Sequence, residues 1–194
     1  MRAFIFKNRG LLLGLPATVL ALCGRPSARI IAAGLPLAFA GELLRCWAVG
    51  FSGVTTRNDS VTAPKLVTAG PYAHVRNPLY IGNFITAAGF AIAFTGNNSN
   101  RARRGLVFGS LAAMAAVYAA IIPHEEAFLR EQFGEAFERY CERVPRIVPQ
   151  LDPMPPSTPL GASWDPDVLI AAESKTFATF GAMLVALFVR ARRA

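Results

Sequence analysis

The chain has 194 residues, enough for one domain with a sizeable core. Hydrophobic residues make up 53% and charged residues 16%, with a mean hydropathy of +0.37; a soluble domain carries about a quarter charged residues, so lipid is expected to cover much of the surface. The net charge of +8 would point a soluble chain toward nucleic acid, but here Lys and Arg flank apolar runs, which suits anionic headgroups, and there is no nucleic-acid motif.

The first apolar run, Leu11–Cys23, follows Arg2, Lys7 and Arg9. That layout is shared with signal peptides, but Leu22 stands where a lipoprotein cleavage box wants a small residue, so the run reads as an uncleaved, tilted helix extending back to Phe4. Arg25-Pro26-Ser27 marks a turn and a helix start, and Ile30–Phe51 is long enough to span a bilayer. Ser52–Pro78 is a polar connection punctuated by Gly and Pro. Leu79–Thr95 and Leu106–Ile122 form a hairpin of two further spans around Gly96–Asn100, with Arg101, Arg103 and Arg104 just after the break.

From His124 to Arg143 the pattern changes. Phe128, Leu129, Phe133, Phe137, Tyr140 and Val144 recur at spacings of three and four, which predicts an amphipathic helix, and six of the twelve acidic residues lie on it. Pro145 and Pro149 end it. Asp152–Pro166 holds five prolines and reads as a linker, and Val168–Val189 is an apolar run interrupted by Glu173 and Lys175, either a fifth span or an interfacial helix. The expected fold is all-α: an integral-membrane helical bundle of four to five transmembrane helices with an amphipathic helix at the interface. It divides into a membrane core over 1–150, a Pro-rich linker over 151–167 and an extra helix over 168–194. Alternating spans put the Ser52–Pro78 connection and the Glu-rich helix on one face, and a slight excess of Lys and Arg there points that face to the cytoplasm.

Cys23, Cys46 and Cys141 lack metal-type spacing, and with two histidines in the chain they read as small core residues, with no metal expected. Chemistry is more readily carried by the segment Gly70–Gly82, where Tyr72, His74, Arg76 and Tyr80 crowd among residues that fix a turn and a helix start. Arg76 and the two tyrosines could also simply be interfacial anchors. A helix start suits anionic groups. Glu125-Glu126 directly follows a span, where a carboxylate can hold an ammonium or sulfonium or accept ribose hydroxyls; adjacent residues diverge on a helix, so only one need face a site. Glu42 and Arg45 share a face within the second span, and ionisable groups at that depth tend to mark function. Arg45 could reach a substrate carboxylate while Trp47 lines an apolar pocket. His124 reads as a helix-end residue with a base as the alternative, His74 is left open between the same kinds of role, and Asn83 is assigned no chemistry.

Together these residues carry a resemblance. Leu44-Arg45-x-Trp47-Ala48, Gly70-Pro-Tyr72, Arg76-x-Pro78-x-Tyr80-x-Gly82, Glu125-Glu126-x-x-Leu129, Phe133-Gly134, Tyr140 and Val144-Pro-Arg146 are, in order and spacing, similar to the isoprenylcysteine carboxyl methyltransferases and their relatives, the integral-membrane phospholipid methyltransferases. The match covers roughly Gly41 to Pro149. It implies an all-helical membrane enzyme using S-adenosylmethionine, bound by Tyr72, Arg76, Asn77, Pro78, Tyr80, Glu125 and Glu126, with Arg76, Glu125 and Arg45 as catalytic candidates. Arg45, Trp47 and Arg146 are candidates for holding a lipid or prenylated acceptor that enters from the bilayer. Where such families usually have His, this chain has Asn77, which can position a ligand but cannot act as a base at neutral pH. The implied reaction is methyl transfer to a lipid-like acceptor, isoprenylcysteine-type carboxyl methylation first, since a carboxylate needs no base. The alternatives are phospholipid N-methylation, a sterol-reductase-like NADPH enzyme with a related Arg-x-Pro-x-Tyr signature, and a non-catalytic membrane scaffold. The implied location is an inner, cytoplasmic membrane; the oligomeric state is left open.

Overall fold

A computed structural model of the protein describes residues 8–53, 65–155 and 163–193. Among them are six α-helices and a short 3-10 turn: α1 (Arg9–Cys23), α2 (Ala28–Ser52), the turn Gly70–Ala73, α3 (Pro78–Phe94), α4 (Asn100–Phe133), α5 (Glu135–Arg143) and α6 (Asp167–Ala191). The extension of the first helix back to Phe4 lies outside the described residues. Helices α2, α4 and α6 are long and apolar enough to cross a membrane, and α1 and α3 are shorter apolar helices. The result is the all-helical membrane bundle that the apolar runs predict.

Helices α2 and α3 form the centre. They can approach closely because glycines face each other across the contact. A Cβ on Gly41 would come within 3.0 Å of the backbone of Gly82 and Thr86, and one on Gly89 would do the same at Ala38 and Gly34. Small residues of this kind drive helix association in lipid, where the hydrophobic effect offers nothing. Thr86 Oγ1 adds a bond across the pair, donating to the Ala38 carbonyl at 3.3 Å. Phe90 and Phe94 of α3 then fill the space between α1, α2 and α6, against Leu20, Ile31 and Leu187.

Two boundaries differ from the sequence reading. No helix begins at His124: α4 runs unbroken for 34 residues through Pro123. Pro fits the helical φ, and the bond it removes is tolerated inside a membrane helix. The break comes at Gly134 instead, whose φ of +50° is a conformation that strains any residue with a Cβ. The amphipathic stretch is thereby divided, and α5 folds back so that Phe137, Tyr140 and Val144 form a small core of their own with Leu66 and Leu129.

The fifth run forms a helix reaching from one end of the bundle to the other. Near its start Glu173 bonds Arg45 of α2, and near its end Arg190 donates to the Gly24 carbonyl at 3.2 and 2.8 Å. The linker before it is in part outside the described residues, but Trp164 and Asp165 lie against α2, with the Asp165 N–H donating to the Gly50 carbonyl at 3.0 Å.

Candidate active site

The turn Gly70–Ala73 and the start of α3 are held by the segment after α5. Tyr140 donates its hydroxyl to the Tyr72 carbonyl at 2.7 Å, and the Arg76 N–H donates to the Pro145 carbonyl at 2.9 Å. Further on, Gln150 and Met154 donate backbone N–H groups to His74 and Ala73, each at 3.0 Å. His74 Nδ1 lies 2.9 Å from the Gln150 carbonyl and so carries a proton there, which makes this ring part of the scaffold. The two polar segments singled out in the sequence therefore form one continuous structure at one end of the bundle.

Arg76 is its hub. Nε donates to Glu126 Oε1 at 3.0 Å, while Nη1 donates to the Val144 and Cys141 carbonyls at 2.6 and 3.2 Å. The guanidinium thus satisfies the open carbonyls at the end of α5, where a cation also complements the helix dipole. Glu126 is clamped from its other side by Arg146, at 2.6 and 3.1 Å. Asn77 Nδ2 donates to the Arg146 carbonyl at 3.1 Å, the positioning role left to an amide at this place. Glu125, one residue earlier, takes a different partner: Tyr80 donates its hydroxyl to Oε1 at 2.7 Å. The Tyr80 ring packs on Tyr118 of α4, centroids 4.5 Å apart.

A second polar cluster lies deeper. Arg45 donates from Nη2 to both oxygens of Glu173, at 2.9 and 2.7 Å, and from Nη1 to Asn83. Glu42 comes within 3.8 Å of Arg45 Nε. Burying so many charges inside a membrane bundle is expensive unless they are paired, and such clusters mark functional sites by default.

Both clusters line one cavity of about 730 Å³, within the size range of small-molecule sites. Its walls run along α1 from Arg9 to Leu20, about 16 Å at the helical rise. Tyr72, Arg76, Glu125 and Glu126 stand at one end, and Phe90, Met114, Phe180 and Met183 line the apolar remainder. Enclosure pushes the Tyr72 phenol up to about 12, and burial likewise raises Tyr140; both hydroxyls are neutral donors at ordinary pH and neither is a base.

Of the residues expected to act, Arg45, Tyr72, Arg76, Asn77, Pro78, Tyr80, Glu125 and Glu126 all line the cavity. Both adjacent glutamates do so, although one would have sufficed. Trp47 and Arg146 do not. Trp47 is 44% exposed on the outer side of α2, and Arg146 touches the site through Glu126 and Asn77 only. Glu173, Asn83 and Tyr118 also line the cavity and were given no role from the sequence. Glu173 carried a usable signal, a carboxylate inside an apolar run. Among the described residues no three His, Cys, Asp or Glu side chains come together to hold a metal ion.

Residues 30–136 match the phospholipid methyltransferase family. The chain is 37% identical over 84 residues to a protein-S-isoprenylcysteine O-methyltransferase of Schizosaccharomyces pombe, covering 43% of this chain and 33% of that one. It is 31% identical over 122 residues to protein-S-isoprenylcysteine O-methyltransferase B of Arabidopsis thaliana, covering 60% and 57%. It is also 37% identical over 87 residues to the nickel-cobalt-cadmium resistance protein NccN of Alcaligenes xylosoxydans xylosoxydans, covering 45% and 37%. The chain thus spans between about a third and three fifths of the length of these relatives. No solved structure matches it. With the family's match extending over more than half of a helical membrane bundle, and the two polar segments within and beside it joined at one cavity, the chain belongs to the phospholipid methyltransferase family.

Proposed function

We propose that the protein transfers a methyl group from S-adenosylmethionine to a lipid-like acceptor at the membrane edge, with an isoprenylcysteine-type carboxylate as the first choice of acceptor. The observation that carries this reading is the single cavity with Glu125 and Arg76 at one end and an apolar bore at the other, a shape suited to a polar cofactor meeting a greasy substrate. The names of the relatives point the same way.

The donor set suits the cofactor. Glu125, steadied by Tyr80, offers a carboxylate to an ammonium or to ribose hydroxyls. Arg76 and Arg9, also in the cavity wall, offer cations to a carboxylate. Tyr72, Asn77, Pro78 and Glu126 complete the wall. The cofactor, when bound, supplies an electrophilic methyl group on a sulfonium, so alignment and exclusion of water are what the protein must add. Phe90, Met114, Phe180 and Met183 exclude water and take up an acceptor's hydrocarbon. Arg45, fixed by Glu173 and Asn83, is the cation that orients the acceptor's carboxylate. That nucleophile is already ionised, in keeping with a site whose tyrosines stay protonated and whose segment carries Asn77. We place the site on the cytoplasmic side of an inner membrane, which the slight excess of Lys and Arg at that end supports.

A second reading, N-methylation of a phospholipid amine, is favoured by Glu42 and Glu173 beside Arg45, since two carboxylates suit an ammonium headgroup. The experiment incubates the purified protein with methyl-labelled S-adenosylmethionine and either an S-prenylated N-acetylcysteine or phosphatidylethanolamine, then identifies products by mass spectrometry. A base-labile labelled ester supports the first reading and a base-stable N-methyl product the second. Loss of label to neither acceptor, nor to extracted membrane lipids, contradicts both.

A further inference from the structure

The end of the bundle away from the cavity is built from residues 24–27, residues 95–99 and the last turn of α6. The two loops are locked to each other. The Arg25 N–H donates to Asn98 Oδ1 at 2.7 Å, the Asn97 N–H to the Arg25 carbonyl at 2.6 Å, and Asn97 Nδ2 to the Pro26 carbonyl at 3.1 Å. Two arginines finish the helix ends here. Arg103 donates to the Thr95 and Gly96 carbonyls at 3.1 and 2.6 Å, and Arg190 to the Gly24 carbonyl.

Six more, Arg25, Arg29, Arg101, Arg104, Arg192 and Arg193, are exposed at this same end. None of the twelve acidic residues of the chain falls within 20–41, 90–110 or 180–193, the segments that form or lead into this end. The eight arginines of this end therefore equal the whole net charge of +8, and the rest of the molecule balances to neutrality. Exposed apolar side chains adjoin them directly: Leu22 before Arg25, and Val185, Phe188 and Val189 before Arg192. A bilayer covering those side chains puts the guanidiniums at headgroup depth. There a planar fork pairs with a phosphate through two hydrogen bonds, and an anionic surface offers the counter-charge that the protein lacks.

We propose that this end is a binding surface for anionic phospholipid headgroups in the leaflet opposite the cavity. It is independent of the methyl-transfer chemistry. The arginines come from three separate helix ends next to lipid-facing side chains, an arrangement that fits many headgroups side by side better than one soluble polyanion.

The test is native mass spectrometry of the full chain presented with equal amounts of phosphatidylglycerol and phosphatidylcholine. The wild type should carry phosphatidylglycerol adducts at least threefold over phosphatidylcholine. Arg101→Gln/Arg104→Gln and Arg192→Gln/Arg193→Gln should each reduce that preference, and all six exposed arginines changed to Gln should abolish it. Six Lys at the same places, which keep the charge without the two-bond fork, should keep a reduced preference. Arg139→Gln/Arg143→Gln, on α5 at the cavity end, should leave it unchanged. Thermal melting of each variant separates lost binding from lost folding, and the two double variants serve if the sixfold one does not fold. Equal adducts on the wild type, or undiminished preference in the folded variants, would overturn the proposal. Displacement of the lipid by millimolar glycerol 1-phosphate would overturn it in favour of a soluble-anion site.

Discussion

Arg45 on α2 and Glu173 on α6 meet inside the bundle, with Nη2 donating to both carboxylate oxygens at 2.9 and 2.7 Å and side chains only 8% and 1% exposed. The pair joins a helix within the family match to one that lies beyond it. Both residues also line the cavity.

Removing one member of a buried ion pair leaves the other uncompensated, at a cost of about 3–5 kcal/mol, whereas replacing both with apolar groups is close to neutral. Glu173→Ala should therefore lower the thermal midpoint in detergent sharply, and the triple variant Arg45→Met/Glu42→Leu/Glu173→Leu, which also removes the second carboxylate beside Arg45, should restore most of it. The triple variant should fold yet transfer methyl groups poorly, because it lacks the cation proposed to orient the acceptor. A folded triple variant with full activity would remove Arg45 from the site.

The adjacent glutamates should separate in their effects. Glu126 is clamped between Arg76 and Arg146, while Glu125 is bonded by Tyr80 within the cavity wall. Glu126→Gln should lower stability by about 2 kcal/mol, the scale of a lost charge-assisted bond. Glu125→Gln should leave melting nearly unchanged and weaken cofactor affinity at least tenfold, about 1.4 kcal/mol. Calorimetry and equilibrium binding on the two variants check the contrast. Arg76→Ala should fail on both counts, because Arg76 also holds the Val144 and Cys141 carbonyls.

What could be read in the chain, and what could not, follows from the range of the forces involved. The spans, their alternation and the meeting of Gly70–Gly82 with the Glu-rich helix were legible, because hydropathy and motif spacing are local signals. The partner of Arg45 was not. Within its own helix Glu42 stood ready, three residues away, and only packing brings α6 close enough for Glu173 to take the better geometry. A boundary is expected at His124 because the pattern there changes from apolar to amphipathic, yet one helix carries both patterns through Pro123, while Gly134, the actual break, gives no sign beyond its identity. Arg146 lies outside the cavity wall with its guanidinium bonded to Glu126, a contact that neither its charge nor its motif reveals. Trp47 follows Arg45 by two residues, about 200° around a helix, so the packing that turns Arg45 toward the cavity turns Trp47 outward; that relation was legible in the sequence.

The glycines between α2 and α3 should tolerate no enlargement. A Cβ on Gly41 or Gly89 would run into backbone atoms that cannot yield. Gly41→Val and Gly89→Val should each yield little folded protein by size-exclusion chromatography, whereas Gly14→Ala and Gly109→Ala, which meet nothing within 4 Å, should match the wild type.

Tyr72 should leave a mark at high pH. Its phenol titrates near 10.0 when unfolded and at about 12 when folded, chiefly through burial. The stability this group contributes is complete below the unfolded value and is lost as pH rises through the folded one. Melting at about pH 9 and about pH 11.5 should show the wild type losing more stability than Tyr72→Phe across that interval. Equal losses would mean that the phenol is open to water.

The central claim is that S-adenosylmethionine docks beside Glu125, where the bundle meets water. The most direct measurement is equilibrium binding of methyl-labelled S-adenosylmethionine to the purified chain in detergent, with NADPH as the comparison ligand. Saturable binding of the methyl donor, at least tenfold weaker in folded Glu125→Gln and absent for NADPH, is the predicted result. A folded wild-type protein that ignores the methyl donor, or takes NADPH in its place, would contradict it.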